Sequence, residues 1–360
     1  MKICFLTISM RAGGAERVMS ILANEFVREG HEVSFIVSDD AKIMAYKLDE
    51  RIKVAYVSSI CLKRIRRFRK CCREINSCLK QFHPDIAVMF LQPMVLPWLI
   101  IRNKIPLVYS ERNDPKTNNN GMLDRMLRNI MIKKADGIVF QTKKVQSFFK
   151  NSIVNKSMVI MNPFDIENLP IQHQMERKKE IVAVGRLNAQ KNYPLLLKAF
   201  SIVHQRHSNY CLKIYGDGPL KKQLIEIAYD LGISEYVYFQ GVSHDVLNEI
   251  KDSGIYVLSS EFEGIPNALL EAMALGLPCV STNYRPEAVN EVIQHRNNGM
   301  IVPRDDAVAL AEAISEVIED DKLAKKIGDN ARNIINQIKV DRIASEWINF
   351  FNKIVRREFR

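Results

Sequence analysis

Short runs of β-branched and aromatic residues recur along the chain, each followed by a longer stretch whose apolar positions fall three and four apart. In the first half the runs are KICFLTI from Lys2, EVSFIVS from Glu32, KVAYV from Lys53, DIAVMF from Asp85, PLVYS from Pro106, GIVFQ from Gly137 and MVIM from Met158. The polar stretch DIENLPIQHQMERKK, Asp165 to Lys179, has no apolar period and reads as a linker. The rhythm then restarts with IVAVG from Ile181, CLKIYG from Cys211, YVYFQG from Tyr236 and IYVLSS from Ile255. Strands alternating with helices predict parallel sheets covered by helices, and the restart predicts two doubly wound α/β domains. The expected boundaries are 1–170, 171–340 and a closing helix over 341–360 that can cross back to the first domain. Ligands of such sheets sit beyond the carboxyl ends of strands, so the expected site is a cleft between the domains.

The bulk numbers fit this picture. A chain of 360 residues is long for one core, and 47% hydrophobic with 26% charged residues is an ordinary globular balance. The longest apolar run, IAVMFLQPMVLPWLII from Ile86, falls short of the ~20 residues of a spanning helix, and Pro93 and Pro97 interrupt it. The start, MKICFLTISMRAGG, lacks the longer apolar region and cleavage site of a signal peptide. Seven cysteines with no CxxC pair argue for a reducing compartment.

Charge changes the picture more. Residues 1–170 carry 28 Lys and Arg against 16 Asp and Glu, whereas residues 171–360 carry 24 against 25. The whole excess of +11 therefore belongs to the first half, whose partner is expected to be anionic: a membrane surface, a phosphorylated substrate or nucleic acid. Much of it lies in ICLKRIRRFRKCCREINSCLKQF, Ile60 to Phe82. There Ile65, Phe68, Cys72, Ile75, Leu79 and Phe82 form an apolar helix stripe, and Lys63, Arg64, Arg66, Arg67, Arg69, Lys70 and Arg73 have no acid among them. A helix packed by its stripe with solvated charges accounts for the packing. Seven cations exceed that need, and each adds ~1 kcal/mol of attraction to an anionic bilayer, so peripheral membrane contact is expected. The nearby Cys61, Cys71, Cys72 and Cys78 could suggest a metal cluster, a reading ranked far below an anionic partner for the cations.

Three strand-to-helix loops carry candidate chemistry. In EFEGIPNALLEAMALG, from Glu261, Pro266 fits the first turn of a helix, Gly276 its C′ position, and Pro278 blocks continuation. Leu269, Leu270, Met273 and Leu277 supply its buried side. Loop amides and the helix N-terminus form an anion site, and Glu263 and Glu271 beside it suit a ligand carrying phosphate and hydroxyl groups, such as a nucleotide sugar. The plainer alternative makes Glu263 a favourable charge ahead of the helix and Glu271 an exposed helix residue. In VGRLNAQKNYPLLLKAF, from Val184, Arg186 and Lys191 bracket a loop that Asn192 and Pro194 turn into a helix, an arrangement suited to a pyrophosphate. In ISMRAGGAERVMSILANEFVREG, from Ile8, Gly13 and Gly14 allow close phosphate approach, but G-x-G-x-x-G is absent. Asp39 and Asp40 stand where a ribose-binding acid would sit. GDGPL, from Gly216, is a similar turn with an equally good purely structural reading.

The order GGAER, GRLNAQKN, GDGPL, EFEGIPNALLEAMALGLPCVST and NNGMIVP resembles glycosyltransferase family 4 over nearly the whole chain, most specifically from Gly185 to Pro303. The resemblance implies a retaining, nucleotide-sugar-dependent enzyme of the GT-B fold. The family's E-x7-E motif matches Glu263 and Glu271, its phosphate-binding Arg and Lys match Arg186 and Lys191, and its first glycine loop matches Gly13 and Gly14. Glu263 would then contact donor-sugar hydroxyls and Glu271 the ribose. Gly216, Asn267 and backbone amides near Gly264, Ile265 and Pro266 would complete the donor site. Where many members carry a His near a first-domain strand, this chain has Glu111 and Arg112, which are assigned to the acceptor side. Arg66, Arg67, Arg69 and Lys70 are assigned to the acceptor or membrane side.

No D-x-D stretch or His/Cys cluster has metal-ligand spacing, so no metal is expected, and His204 and His207 are expected at the surface. Arg186, Lys191 and the helix N-terminus would stabilise the leaving diphosphate. The resulting expectation is transfer of a hexose or N-acetylhexosamine from a nucleotide diphosphate sugar to a glycan or polyprenyl-linked acceptor. The setting would be surface polysaccharide or lipopolysaccharide synthesis at the inner face of the cell membrane, with no other cofactor. The alternatives are a nucleotide-sugar epimerase or a hydrolase, and the glycosidase version would leave Arg186 and Lys191 without a role. A nucleic-acid-binding protein would interleave its cations with stacking aromatics, and Lys63–Arg73 holds only Phe68.

Overall fold

The computed structural model describes residues 1–358 apart from 12, 61–64, 91–94, 102–103, 113–120, 168 and 171–176. Two compact units emerge: Met1–Phe164 with Ile338–Arg360, and Asp165–Gln337.

The first unit runs β1 (Lys2–Thr7), α1 (Gly14–Arg28), β2 (Glu32–Val37), β3 (Lys53–Tyr56), α2 (Ile65–Phe82), β4 (Ile86–Met89) and α3 (Val95–Ile101). It continues through β5 (Leu107–Ser110), α4 (Gly121–Lys134), β6 (Gly137–Phe140), α5 (Lys143–Gln146), α6 (Asn151–Val154) and β7 (Ser157–Val159). All the strands are parallel, in the order β3-β2-β1-β4-β5-β6-β7. Period-two alternation separates two cores: Ile3 and Phe5 pack with the helix α1, while Cys4 and Leu6 face α2 and α4. The sheet is buried on both faces, which is why its strands read as continuous apolar runs.

On α2 the expected apolar stripe packs on the core except at its first position. Phe68, Cys71, Cys72, Ile75 and Leu79 are buried, whereas Ile65 is 60% exposed. Cys71, fully buried, adds to the stripe three residues after Phe68 and four before Ile75. Ile65 is the first residue of the helix.

The second unit runs β8 (Lys178–Val184), α7 (Tyr193–Arg206), β9 (Cys211–Tyr215), α8 (Lys221–Asp230), β10 (Val237–Gly241), α9 (Val246–Ile250) and β11 (Ser253–Leu258). It ends with α10 (Asn267–Ala274), β12 (Cys279–Thr282), β13 (Met300–Val302), α11 (Ala307–Glu319), α12 (Asp321–Ala331) and α13 (Ile335–Ile338). The order is β10-β9-β8-β11-β12-β13, again parallel. The described part of the polar stretch after Asp165 is irregular until β8, which takes its last two residues, Lys178 and Lys179. Strands β12 and β13 went unread because they are short and, in β12, half polar. Ser281 and Thr282 are fully buried, and the Thr282 hydroxyl donates to the Ser260 carbonyl at 2.7 Å.

The chain returns to the first unit through α14 (Val340–Val355), whose Ile343, Ala344, Trp347, Phe350, Phe351 and Ile354 form a stripe at three-four spacing. Trp347 stacks on Phe90 with centroids 5.8 Å apart, and Phe351 meets Phe26 edge-on at 5.9 Å. In each sheet the strand order reverses direction next to the first strand, between β1 and β4 and between β8 and β11. That is where the loops beyond the carboxyl ends splay apart and ligands enter.

Candidate active site

Strands β8 and β11 pair directly, Ile181 with Ile255 and Val182 with Tyr256, so the loops that follow them emerge side by side. After β8 the chain passes Gly185, Arg186 and Leu187 into a 3-10 turn, Ala189–Lys191, capped by the Asn188 side chain. Asn192, in the left-handed region at φ 46°, then opens α7. Gly185 has φ +156°, and a Cβ there would stand 2.7 Å from Lys191 Cε: the lysine stem lies across the glycine.

That path delivers Lys191 Nζ to Glu263 Oε1 at 2.7 Å. The same oxygen accepts from Ser260 Oγ at 3.0 Å, and Oε2 accepts from Gln190 Nε2 at 3.0 Å. Gln190 also donates to the Phe262 carbonyl at 3.0 Å, its own carbonyl accepts from Glu261 N at 2.8 Å, and Ser259 Oγ donates to the Lys191 carbonyl at 2.8 Å. The two loops are thus stitched through both side chains and backbone. Glu263 is 8% exposed and paired on both oxygens, which buried carboxylates require. From below, Glu263 N donates to the Arg285 carbonyl and Arg285 N to the Glu261 carbonyl, both at 2.9 Å. The Tyr284 hydroxyl donates to the Gly264 carbonyl at 3.3 Å.

The loop leads into α10. Pro266 is the N-cap and not a first-turn residue: its ψ of 127° is extended, and the helix begins at Asn267. Proline has no amide hydrogen, so amide donation at this N-terminus falls to Gly264, Ile265 and Asn267 and not to Pro266. Leu269, Leu270, Met273 and Leu277 are buried, and Gly276, at φ +68°, follows the C-cap. Glu271 is also buried, at 4% exposure, which overturns the plainer reading of it as an exposed helix residue.

Arg186 is exposed and makes no ion pair with a described residue. Gly216 is held against the neighbouring loop. Its amide donates to the Gly241 carbonyl at 2.6 Å, and a Cβ there would overlap the Gly185 carbonyl oxygen. Its contribution is therefore close backbone packing beneath the Arg186 loop. Gln190, Ser259 and Ser260 escaped sequence reading. Their short polar side chains look like loop filler until pairing of β8 with β11 brings them to Glu263.

In the first unit, Gly13 is extended at φ −167°, and the Glu16 carboxylate lies where its Cβ would be. Its amide donates to the Tyr46 hydroxyl at 3.1 Å, and that hydroxyl donates to the Gly13 carbonyl at 3.0 Å. Gly14 begins α1. Asp39 faces Arg11 at 3.4 Å, and Asp40 pairs with Arg67. On α2, Lys70 pairs with Glu74 at 3.6 Å, while Arg66, Arg69 and Arg73 are exposed without an ion pair to a described residue. Lys63, Arg64 and Cys61 lie outside the described residues. His207 and His204 are half-buried and not surface residues: His207 lies 3.2 Å from Glu319, and His204 packs at a tilt against Tyr236 with centroids 3.8 Å apart. Among the described residues no group of three or more His, Cys, Asp or Glu could hold a metal ion, and no helix is long and apolar enough to cross a membrane.

Two parallel doubly wound units make up the architecture of the GT-B fold. Residues 165–334 match the family profile of glycosyl transferases group 1, and residues 12–168 that of glycosyltransferase family 4. The chain belongs to the family-4-like glycosyltransferases and is an enzyme of that class. An uncharacterized glycosyltransferase of Haemophilus influenzae is 25% identical over 93% of this chain and 95% of its own. A Campylobacter jejuni protein named GalNAc-alpha-(1->4)-GalNAc-alpha-(1->3)-diNAcBac-PP-undecaprenol alpha-1,4-N-acetyl-D-galactosaminyltransferase is 27% identical over 98% and 99%. Among solved structures, Anabaena HepE in complex with UDP and glucose aligns at 18% identity with a TM-score of 0.82, over 98% of this chain and 100% of that one. A point mutant of S. aureus TarM in complex with UDP aligns at 15% identity with a TM-score of 0.80 over the same shares.

Proposed function

We propose that the protein moves a hexose or N-acetylhexosamine, with retention, from a nucleotide diphosphate sugar to a lipid-linked glycan of a bacterial surface polysaccharide or lipopolysaccharide. The observation that carries this reading is the Glu263–Lys191 pair at 2.7 Å on adjacent loops beyond β8 and β11, with Arg186 exposed beside it. An exposed guanidinium, an ammonium and the N-terminus of α10 suit a diphosphate. Glu271 suits a ribose hydroxyl, and Glu263 the sugar's hydroxyls. The names of the Campylobacter relatives, which act on diphospho-undecaprenol-linked sugars, and of a Staphylococcus poly(ribitol-phosphate) alpha-N-acetylglucosaminyltransferase support a surface-glycan acceptor.

In the reaction so proposed, the bond from the sugar's anomeric carbon to the diphosphate oxygen breaks. A bond from that carbon to the acceptor oxygen forms on the same face, and the departing diphosphate takes the acceptor hydroxyl's proton. In this reading Glu263, held by Lys191, Ser260 and Gln190, positions the sugar and does not attack it. Lys191, Arg186 and the helix N-terminus stabilise the charge growing on the leaving diphosphate without a required metal. Transfer assayed with a nucleotide-sugar panel and a polyprenyl-diphosphate glycan tests this. Free or epimerised sugar with no glycoside formed would favour the hydrolase or epimerase reading.

The exposed Arg66, Arg69 and Arg73, with Arg67, Lys70, Lys63 and Arg64, are proposed to hold the first unit against an anionic bilayer at the inner face of the membrane. Replacing Arg66, Arg69 and Arg73 by Gln is expected to cut liposome binding by about 3 kcal/mol, ~1 per charge, at unchanged stability. Binding to nucleic acid in a gel shift, without binding to anionic liposomes, would reverse that assignment.

A further inference from the structure

A second polar cluster lies beyond the carboxyl ends of β4 to β7 in the first unit. Arg112, two residues past β5, lays its guanidinium over the Phe90 ring at 4.2 Å, and Phe90 in turn stacks on Trp347 of α14. Its Nη1 donates to Asn162 Oδ1, and the amides of Asn162 and Gln141 pair at 2.8 Å. The other two guanidinium nitrogens, Nε and Nη2, are buried and have no hydrogen-bond partner among the described residues. The adjacent carboxylate is turned elsewhere: Glu111 Oε1 accepts from the Arg112 main-chain amide at 3.1 Å, and Oε2 faces Arg128 at 3.9 Å. Burial pushes the Arg112 guanidinium down to about 9, partly offset by the nearby Glu111 charge.

Buried donors are ordinarily satisfied, so an arginine with two idle N–H groups marks a place prepared for something else. The idle pair is also chemically specific. Nε and Nη2 share one edge of the guanidinium plane, and that edge makes the two parallel hydrogen bonds of an arginine–carboxylate or arginine–phosphate fork. The aromatic ring below and the Asn162 contact at Nη1 fix the plane, so little freedom is lost when a ligand arrives.

We propose that Arg112 is an oxyanion receptor in the first unit, taking a carboxylate or phosphate group of the acceptor on its Nε/Nη2 edge. The transferase reading enters only in calling the ligand an acceptor. The receptor is separate from the diphosphate loops of the second unit, which lie in different residues altogether.

Trp347 is one of two tryptophans in the chain and touches the ring that carries Arg112, so its fluorescence reports the site. Trp98→Phe protein is titrated with inorganic phosphate, glucuronate and glucose at constant ionic strength, alone and with Arg112→Met, Arg112→Lys or Arg186→Ala added. The expected result is a saturable change with phosphate, glucuronate or both, none with glucose, and at least a tenfold loss of affinity in both Arg112 variants. The Lys variant keeps the charge and loses the fork. Which anion binds tells a phosphate-bearing acceptor from an acidic sugar. Anion binding that survives both Arg112 variants, or that is lost in Arg186→Ala alone, overturns the proposal, as does no binding of either anion. Melting of the otherwise wild-type protein with the same additives gives an independent readout. There Arg112→Met should raise the Tm by a few degrees, because a buried unpaired charge is removed. A Tm lower by several degrees would mark Arg112 as a structural strut and contradict the receptor. Anion binding through Arg112 in a protein that transfers no sugar would uphold the receptor and remove only its link to an acceptor. The converse, transfer without anion binding, would leave the donor site standing and end this proposal.

Discussion

Glu263 in the second unit and Arg112 in the first each place a charge just beyond the carboxyl edge of a parallel sheet, but their surroundings differ. Glu263 receives Lys191, Ser260 and Gln190, and its loop is fixed to its neighbours by backbone hydrogen bonds. Arg112 has one hydrogen-bonded nitrogen, an aromatic ring beneath it, and two nitrogens idle among the described residues. A fully paired charge contributes to stability before any ligand comes, and a ligand must share or displace its partners. A half-paired charge is a standing cost that only a ligand relieves. Stability and function should therefore separate in opposite directions at the two places.

The largest effect is expected from Glu263→Ala. Transfer should fall at least about 100-fold, since the loss of one preorganised polar contact commonly costs that much. Unfolding free energy should drop by roughly 2–3 kcal/mol, because Lys191 is left nearly buried beside an empty position. Chemical denaturation beside the transfer assay checks both, and intact activity would remove Glu263 from the site. Gly216→Ala comes next. Its φ of +133° and the overlap of a new Cβ with the Gly185 carbonyl predict a loss of about 2–3 kcal/mol, with the nucleotide site disordered along with it. Stability equal to wild type would show that the two loops are not packed as described.

Arg186→Ala sharpens the contrast from the other side. The side chain is exposed and unpaired among the described residues, so stability should stay within ~0.5 kcal/mol. Loss of a charge-assisted contact to a diphosphate should still weaken nucleotide binding by about 1.5–3 kcal/mol, on the order of tenfold or more. The smallest effect lies beneath the site. The Tyr256 hydroxyl is buried without a partner among the described residues, so Tyr256→Phe should be neutral or stabilising by up to ~1 kcal/mol. Burial raises the phenols of Tyr193, Tyr256 and Tyr284, with Glu263 adding to each shift. Unfolded tyrosines release protons near pH 10 while these keep theirs, so the unfolded state binds fewer protons and stability falls as pH rises above 10. Tyrosinate absorbance in alkali should lag for these three until the protein unfolds.

The sequence made some of this legible and hid the rest for physical reasons. Doubly buried parallel strands announce themselves as apolar runs, so most were readable. The interior strand β12 was not, because its Ser281 and Thr282 are satisfied by local backbone carbonyls and give no apolar signal. The turn glycines at strand ends, the proline at the start of α10 and the cations in the β8 loop were readable, since each is a local demand on backbone or charge. What Glu263 touches was not readable, because Gln190 and Ser260 meet it only through the pairing of β8 with β11. The basic helix showed its period and its buried face in the sequence, but not that Ile65 is exposed, that Cys71 is buried, or that Arg67 and Lys70 find acids in Asp40 and Glu74. The idle edge of Arg112 has no sequence signal at all, because idleness is a property of the neighbours.

The central claim is that the Arg186–Lys191 loop and the α10 N-terminus form a nucleoside-diphosphate site. Its most direct test is a melting titration of wild type and Arg186→Ala with a panel of nucleoside diphosphates. The account predicts that at least one raises the wild-type Tm in a concentration-dependent way, as a ligand of the folded state must. The same nucleotide should shift Arg186→Ala only at concentrations roughly tenfold higher. Equal shifts in the two proteins, or none with any nucleotide, would contradict it.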